Sequence, residues 1–216
     1  MLEPVQGEGG VNVPSPDYLK QVRRWCNEKG LILILDEIQT GIGRTGALFA
    51  HQLFDVEPDI MTLAKGLGGG LPIGAIMAKD KFSVFSPGEH GSTFGGNPVT
   101  CAAAYATVKY IIDNDISGHA KEMGDYLTES LLALKASHPS IISGVRGRGL
   151  LIAVQLNDDS ASGLARSCLD SGLLINNVKP DALRLMPPLV ISRGEIDEAL
   201  GKLKTAILRF ASREQG

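Results

Sequence analysis

Apolar positions in the first half of the chain switch between helical spacing and short unbroken aliphatic runs. Leu19, Val22, Trp25 and Cys26 recur at helical spacing, with Ser15-Pro16 ahead of them and Gly30 behind. That predicts a helix with Ser15 as N-cap, Pro16 at its first position and Gly30 as its stop. Leu31 to Leu35 is a continuous aliphatic run, the pattern of a fully buried parallel strand, and it ends in Asp36-Glu37-Ile38-Gln39-Thr40-Gly41. A helix-like piece from Leu48 to Leu53 and a turn at Glu57-Pro58-Asp59 lead to a second apolar run, Ile60 to Leu63. Lys65 follows almost at once, and a glycine-rich run to Gly70 follows the lysine. Leu71 to Ala78 predicts another short strand, antiparallel to its neighbour or at an edge because Pro72 cannot donate to a ladder. Gly88 to Pro98 is a polar, glycine-rich loop, and Asn97-Pro98 opens a long helix through Ala102, Tyr105, Val108 and Ile112. Helices alternating with buried strands that end in polar residues point to an α/β sheet.

From about Asn114 the pattern changes. Ile116 to Leu134 is amphipathic, Ile141 to Gly149 leads into a strand from Leu150 to Leu156, and Ala161 to Ser171 is helical. Leu173 to Asn176 and Ala182 to Met186 read as short strands. Ser192-Arg193-Gly194-Glu195 is a capping box. It starts a last helix with Ile196, Leu200, Leu203, Ile207 and Phe210 on one face. The expected division is an α/β unit over residues 1–112 and a smaller α+β unit over 113–216.

Composition narrows the function classes. At 216 residues, 44% hydrophobic and 21% charged, the chain has the make-up of an ordinary globular protein. A formal net charge of −3 leaves no basic footprint, so neither nucleic acid nor an acidic membrane surface is an expected partner. No stretch approaches the ~20 apolar residues of a membrane span. Met1-Leu2-Glu3-Pro4 lacks the basic and apolar regions of a signal peptide. Cys26, Cys101 and Cys168 are scattered and fit no metal spacing, which favours a reducing, cytoplasmic setting. The histidines are scattered too, and no metal site is expected.

The chemistry-bearing residues gather where strands end. A lysine leaving an open α/β sheet stands at the mouth of the crevice where such sheets hold ligands. Partial desolvation there would lower its pKa and make the free amine a nucleophile toward a carbonyl. By itself Lys65 reads more simply as a surface lysine before a flexible turn, and Asp36 as a cap on its own turn. With the Ser92-Thr93 loop they match what pyridoxal phosphate requires. A lysine holds the aldehyde, an acid keeps the pyridine nitrogen protonated, and hydroxyls with backbone N–H groups take the phosphate. Lys65, Asp36 and Ser92/Thr93 suit these roles, and Gln39, one helical turn beyond Asp36, could reach the ring's 3-hydroxyl. An aliphatic strand ending in Asp36-Glu37 also fits the magnesium-holding strand of P-loop nucleotidases. The G-x-x-x-x-G-K-[ST] loop that reading needs is absent, because Lys65 precedes its glycines.

Six stretches carry a resemblance: EPVQGEGG (Glu3 to Gly10), LILDEIQTGIGRTG (Leu33 to Gly46), PDIMTLAKGLGGGLPIGA (Pro58 to Ala75), GEHGSTFGGNP (Gly88 to Pro98), VRGRGLL (Val145 to Leu151) and LRLMPPLVI (Leu183 to Ile191). In this order, over nearly the whole chain, they resemble the class III aminotransferases of fold type I, the acetylornithine, ornithine and 4-aminobutyrate aminotransferase group. Leu174 to Asp181 looks most like the acetylornithine branch. The resemblance implies a pyridoxal-phosphate-dependent transfer between an ω-amine, N-acetylornithine foremost, and 2-oxoglutarate in arginine biosynthesis. Ornithine, 4-aminobutyrate and other class III activities, or a non-catalytic remnant, are the alternatives. It implies that Lys65 binds the aldehyde and shuttles the proton, that Asp36 pairs with the pyridinium, and that Gln39 contacts the 3-hydroxyl. Ser92 and Thr93 would reach the cofactor phosphate of the other subunit of a homodimer. Arg184 would bind the substrate carboxylate through its planar fork, with Glu8 as a gate that pairs with it for one substrate and swings away for the other. Family members are much longer at the N-terminal side. The expectation is therefore a partial large domain plus the small C-terminal domain, a C-terminal portion with exposed sheet edges and little activity alone.

Overall fold

The computed structural model of the protein describes residues 1–214. They fall into two compact units, one formed by Met1–Val5 and Pro14–Gly118, the other by Gln6–Val13 and the chain from His119 onward.

The first unit is built on a three-stranded sheet in the order β1 (Ile34–Asp36), β2 (Ile60–Leu63), β3 (Ala75–Ala78). β1 and β2 are parallel, with Asp36 opposite Thr62, and β3 is antiparallel to β2, as Pro72 suggests. On the other edge of β1, Leu2 makes a single parallel bridge: its N–H donates to the Ile34 carbonyl at 3.1 Å, and its carbonyl accepts from the Asp36 N–H at 2.9 Å. β1 is shorter than the aliphatic run that predicts it, and Leu31 and Ile32 are 44% and 48% exposed. The Leu31 N–H donates to the Cys26 carbonyl at 2.8 Å, so this residue completes the end of helix α1 (Tyr18–Lys29) instead of joining the ladder.

Helix α1 begins later than Ser15-Pro16 predicts. The Tyr18 N–H donates to the Ser15 carbonyl at 3.0 Å, which makes a turn there and moves the N-cap to Asp17. Gly30 does take the left-handed C-cap, at φ 64°. Leu19 and Cys26 are buried but Trp25 is 54% exposed. Arg23 occupies the inward stripe instead, because its guanidinium reaches Asp59 at 2.7 Å. Asp59, 5% exposed, also accepts from the Leu33 N–H at 2.9 Å, while its own carbonyl accepts from the Lys79 N–H. Asp59 thus pins the starts of β1 and β2 to α1 through its carboxylate and to the end of β3 through its carbonyl.

Helix α2 (Pro98–Asp113) starts where Asn97-Pro98 predicts, with the Asn97 side chain accepting from the Thr100 N–H at 3.0 Å. It buries Thr100, Ala104 and Ile111 yet leaves Val99, Tyr105, Tyr110 and Ile112 exposed, so it is apolar well beyond its packed stripe.

The second unit is α+β. Its antiparallel sheet runs β4 (Ile142–Arg148), β5 (Leu151–Leu156), β7 (Ala182–Leu185), β6 (Asn176–Lys179). The strand expected at Leu173 to Asn176 lies later, at β6, because the Gly172 and Leu173 N–H groups still close the end of helix α4 (Ala161–Asp170). Ile152, Val154, Leu156, Leu183 and Leu185 point to one face, where α4, helix α3 (Ile116–Ser137) and helix α5 (Arg193–Glu214) form the core. Ser192 and Glu195 make the predicted box: the Ser192 N–H donates to the Glu195 carboxylate at 2.8 Å, and the Glu195 N–H to Ser192 Oγ at 3.3 Å. The opposite face carries the row Arg146, Ala153, Arg184, Asn176, which are cross-strand partners and therefore side-by-side.

Candidate functional site

Because β1 and β2 are parallel neighbours, the residues that follow them emerge at the same edge of the sheet. Asp36 is the last residue of β1, and Lys65 stands two residues past the end of β2. Asp36 Oδ1 accepts from the Ile38 N–H at 3.0 Å and from Thr62 Oγ1 at 3.2 Å. Its second oxygen meets no protein donor among the described residues. The carboxylate is thus fixed by one oxygen and open at the other. Gln39 is half-buried on the turn that follows.

That turn is organised by the residue after Asp36. Glu37 is fully buried, and its carboxylate accepts from Thr40 Oγ1 at 2.6 Å, the Ala50 N–H at 2.9 Å and the His51 N–H at 2.8 Å. It caps the 3-10 helix Ala50–Phe54 from across the loop. Alternation from buried Leu35 through Asp36 to Glu37 is the signal that could have placed it inside. Nearby, burial pushes the Arg44 guanidinium down to about 10.

Lys65 opens the 3-10 turn Lys65–Gly68 in a left-handed conformation, φ 49°. For a side chain with a Cβ this is strained backbone. The turn is held from below by buried Leu67 and by α2, where a Cβ on Gly69 would lie 2.5 Å from Thr107 Oγ1. Lys65 is exposed, so the first unit does not supply the desolvation that a lysine at a crevice mouth leads one to expect.

Ser92 and Thr93 stand on an exposed loop, where Ser92 Oγ accepts from the Gly95 N–H at 3.0 Å. In the second unit, Arg184 Nη1 donates to Glu8 Oε1 at 2.6 Å. The side chain of Arg184 is 11% exposed and that of Glu8 is 70% exposed. The pair joins a guanidinium held in the sheet face to a carboxylate that reaches solvent. Glu8 lies on a hairpin closed by reciprocal N–H to carbonyl bonds between Gln6 and Asn12 at 3.1 and 3.0 Å.

Comparison with known proteins identifies the family. The model of the family described as Aminotransferase class-III matches residues 1–207. The acetylornithine aminotransferase of Caldanaerobacter subterraneus subsp. tengcongensis is 48% identical over 200 residues, 93% of this chain and 51% of that protein. Ornithine aminotransferase 2 of Staphylococcus saprophyticus is 46% identical over 207 residues, 95% of this chain and 51% of its own length. The ornithine aminotransferase of Toxoplasma gondii, a structure with partial occupancy of pyridoxal phosphate (PLP) at its active site, superposes with a TM-score of 0.93 at 38% identity, over 99% of this chain and 52% of that one. The chain spans about half the length of the curated relatives it matches.

Proposed function

The chain belongs to the class III aminotransferase family, and we propose that it carries the lysine, the ring-nitrogen acid and the substrate-carboxylate receptor of a pyridoxal-phosphate-dependent enzyme. That enzyme moves an amino group between an ω-amine, N-acetylornithine, and 2-oxoglutarate, as arginine biosynthesis requires. The observation that carries the reading is the strand-end pair. Asp36 and Lys65 follow adjacent parallel strands, and the Asp36 carboxylate is anchored on one oxygen and open on the other.

The donor set fits the cofactor, since an amine, a fixed carboxylate and hydroxyl-bearing loop residues are what an aldehyde, a pyridinium and a phosphate need. When bound, pyridoxal phosphate supplies the carbon that accepts the amino group and a ring that draws electron density from the substrate carbon. Asp36, its carboxylate held in place by Thr62 and the Ile38 N–H, would keep the ring nitrogen protonated. Gln39 takes the 3-hydroxyl. Lys65 would hold the cofactor's aldehyde through Nζ and, as the free amine, would carry the proton to and from the substrate carbon. Arg184 receives the substrate carboxylate after displacing Glu8, and Glu8 re-pairs with it when the other substrate leaves that position empty. Ser92 and Thr93 serve the cofactor phosphate of a second copy in a homodimer. The exposed Phe85 and Phe94 on their loop, and the exposed apolar positions of α2, support self-association. The free thiols of Cys26, Cys101 and Cys168 support a cytoplasmic setting.

The test is chemical. The chain is incubated with pyridoxal phosphate, reduced with borohydride and mapped by peptide mass. A pyridoxyl group on Lys65 is expected, and its loss in Asp36→Asn at limiting cofactor. Labelling of other lysines with Lys65 unmodified in the folded chain overturns the assignment. The donor is tested by presenting the protein containing this stretch with N-acetylornithine, ornithine and 4-aminobutyrate. A preference for ornithine moves it to the other named branch.

A further inference from the structure

Two arginines occupy one cross-strand row of the second unit, and they have different partners. Arg184 faces the Glu8 carboxylate. Arg146, separated from it in the row by fully buried Ala153, faces neutral acceptors only among its described hydrogen bonds. Its Nε and Nη2 both donate to the Gly10 carbonyl, at 3.0 and 2.6 Å, and its Nη1 donates to Gln155 Oε1 at 2.6 Å. Gln155 is in turn fixed by donating to the Asp181 carbonyl at 2.9 Å. The Arg146 fork is therefore turned onto backbone and amide, and is not presented to an incoming anion.

What the fork grips is the hairpin that carries Glu8. Gly10 lies two residues past Glu8, at φ 117°, and the next residue, Val11, is left-handed at φ 54°. A Cβ on Gly10 would touch both Arg146 Nη2 and Lys179 Cγ at 3.4 Å, so the backbone here lies directly on the sheet. The Gln6–Asn12 bridge and the Asn12 side-chain bonds to Gln6 and Gly9 are internal to the hairpin and keep its shape. Arg146 supplies an external tether of charge-assisted hydrogen bonds, the stronger kind.

We propose that Arg146 is a positioning residue for the gate. It clamps the Gln6–Asn12 hairpin to the sheet, so that Glu8 exchanges between Arg184 and solvent by side-chain rotation while the backbone that carries it stays put. Small-residue Ala153 between the two arginines leaves room for one fork to hold the hairpin and the other to hold the gate carboxylate. This rests on the reading of Arg184 as the carboxylate receptor. Its consequence is that Glu8 competes with a ligand carboxylate at a high local concentration set by Arg146.

The experiment uses the full chain with glutarate as the carboxylate probe, titrated by NMR or calorimetry, and amide hydrogen exchange as a second readout. Arg146→Ala speeds exchange at Gly10, Val11 and Asn12 by about tenfold or more, with no change at the core strand positions Ile152 and Val154. It also tightens glutarate binding several-fold, toward the value of Glu8→Gln. In a Glu8→Gln background, Arg146→Ala has no further effect on glutarate. Arg146→Lys, which keeps one donor, lies between. A purely structural role would alter affinity equally with and without Glu8, and that result overturns the proposal, as does unchanged exchange at the hairpin in Arg146→Ala. If Glu8→Gln tightens glutarate but Arg146→Ala does not, the receptor reading stands and the clamp falls. If glutarate binds no variant, the receptor reading falls and the gate role of Arg146 falls with it.

Discussion

Replacing Glu37 with Gln tests the buried carboxylate that orders the loop after Asp36. The substitution is isosteric, so it leaves no cavity and isolates the hydrogen bonding. One oxygen of Glu37 accepts from Thr40 Oγ1 and the Ala50 N–H, and the other from the His51 N–H. An amide can satisfy only one side. With its oxygen toward Thr40 and Ala50, its NH2 faces the His51 N–H at 2.8 Å, donor against donor. Flipped, it can donate to the Thr40 hydroxyl, but the Ala50 N–H at 2.9 Å is then the one opposed. Either orientation strands a buried N–H, which costs about 1–3 kcal/mol, and the surviving bonds lose their charge assistance. The expected destabilisation of the first unit is about 2–4 kcal/mol. Trp25 is the single tryptophan and lies on α1, so its fluorescence reports that unit by itself. With a urea m-value of about 2 kcal/mol per molar, the midpoint falls by roughly 1–2 M at unchanged m. A shift worth less than about 0.5 kcal/mol would refute the reasoning, because it would mean that the carboxylate is not the cap its geometry describes.

Other substitutions test the same physics elsewhere. Lys65→Gly should be more stable than Lys65→Ala by about 1 kcal/mol in the same assay, since only glycine adopts φ 49° without strain; equal stability would show that the turn relaxes. At Asp59, burial raises the carboxyl pKa, but the Leu33 N–H, Arg23 and Lys79 outweigh it and hold the group below its ordinary value. A depressed folded pKa gives stability that is complete above the unfolded value of about 3.9 and is lost as pH falls toward the folded one. Urea midpoints of wild type should therefore drop more steeply below about pH 4 than those of Asp59→Asn, and parallel curves would argue against the hub. In the second unit, a Cβ on Gly124 of α3 would overlap the Gly149 backbone. Gly124→Ala should cost about 1–3 kcal/mol by thermal circular dichroism, and an unchanged melting temperature would mean that the helix can shift at no cost.

The elements whose periodicity is local were legible in the chain. The Asn97 cap, the Ser192–Glu195 box and the antiparallel strand behind Pro72 all appear where side-chain chemistry places them. Errors arose where a distant residue competed for a position. Trp25 was expected on the inner face of α1, but Asp59, thirty-six residues from Arg23, draws the arginine there instead. Leu31 was expected in a strand, but its N–H is taken by the helix before it. The glutamate after Asp36 looked like part of a polar strand end, and its role as a cap depends on Ala50 and His51 arriving from beyond the intervening loop.

The division has a physical basis. Residue types, spacing and caps are properties of the chain itself. They determined the α/β then α+β order, the lysine before its glycines, the acid at the end of an aliphatic run and the family those motifs belong to. Register and burial are properties of the folded chain. Only the tertiary structure decided that Asp36 is anchored by Thr62 on the neighbouring strand and open on its other oxygen, and that Lys65 is exposed. It alone decided that Arg146 and Arg184 share one row with Ala153 between them. Strand pairing joins residues far apart in sequence, and neither the period of a strand nor the charge of a side chain states which partner it will meet.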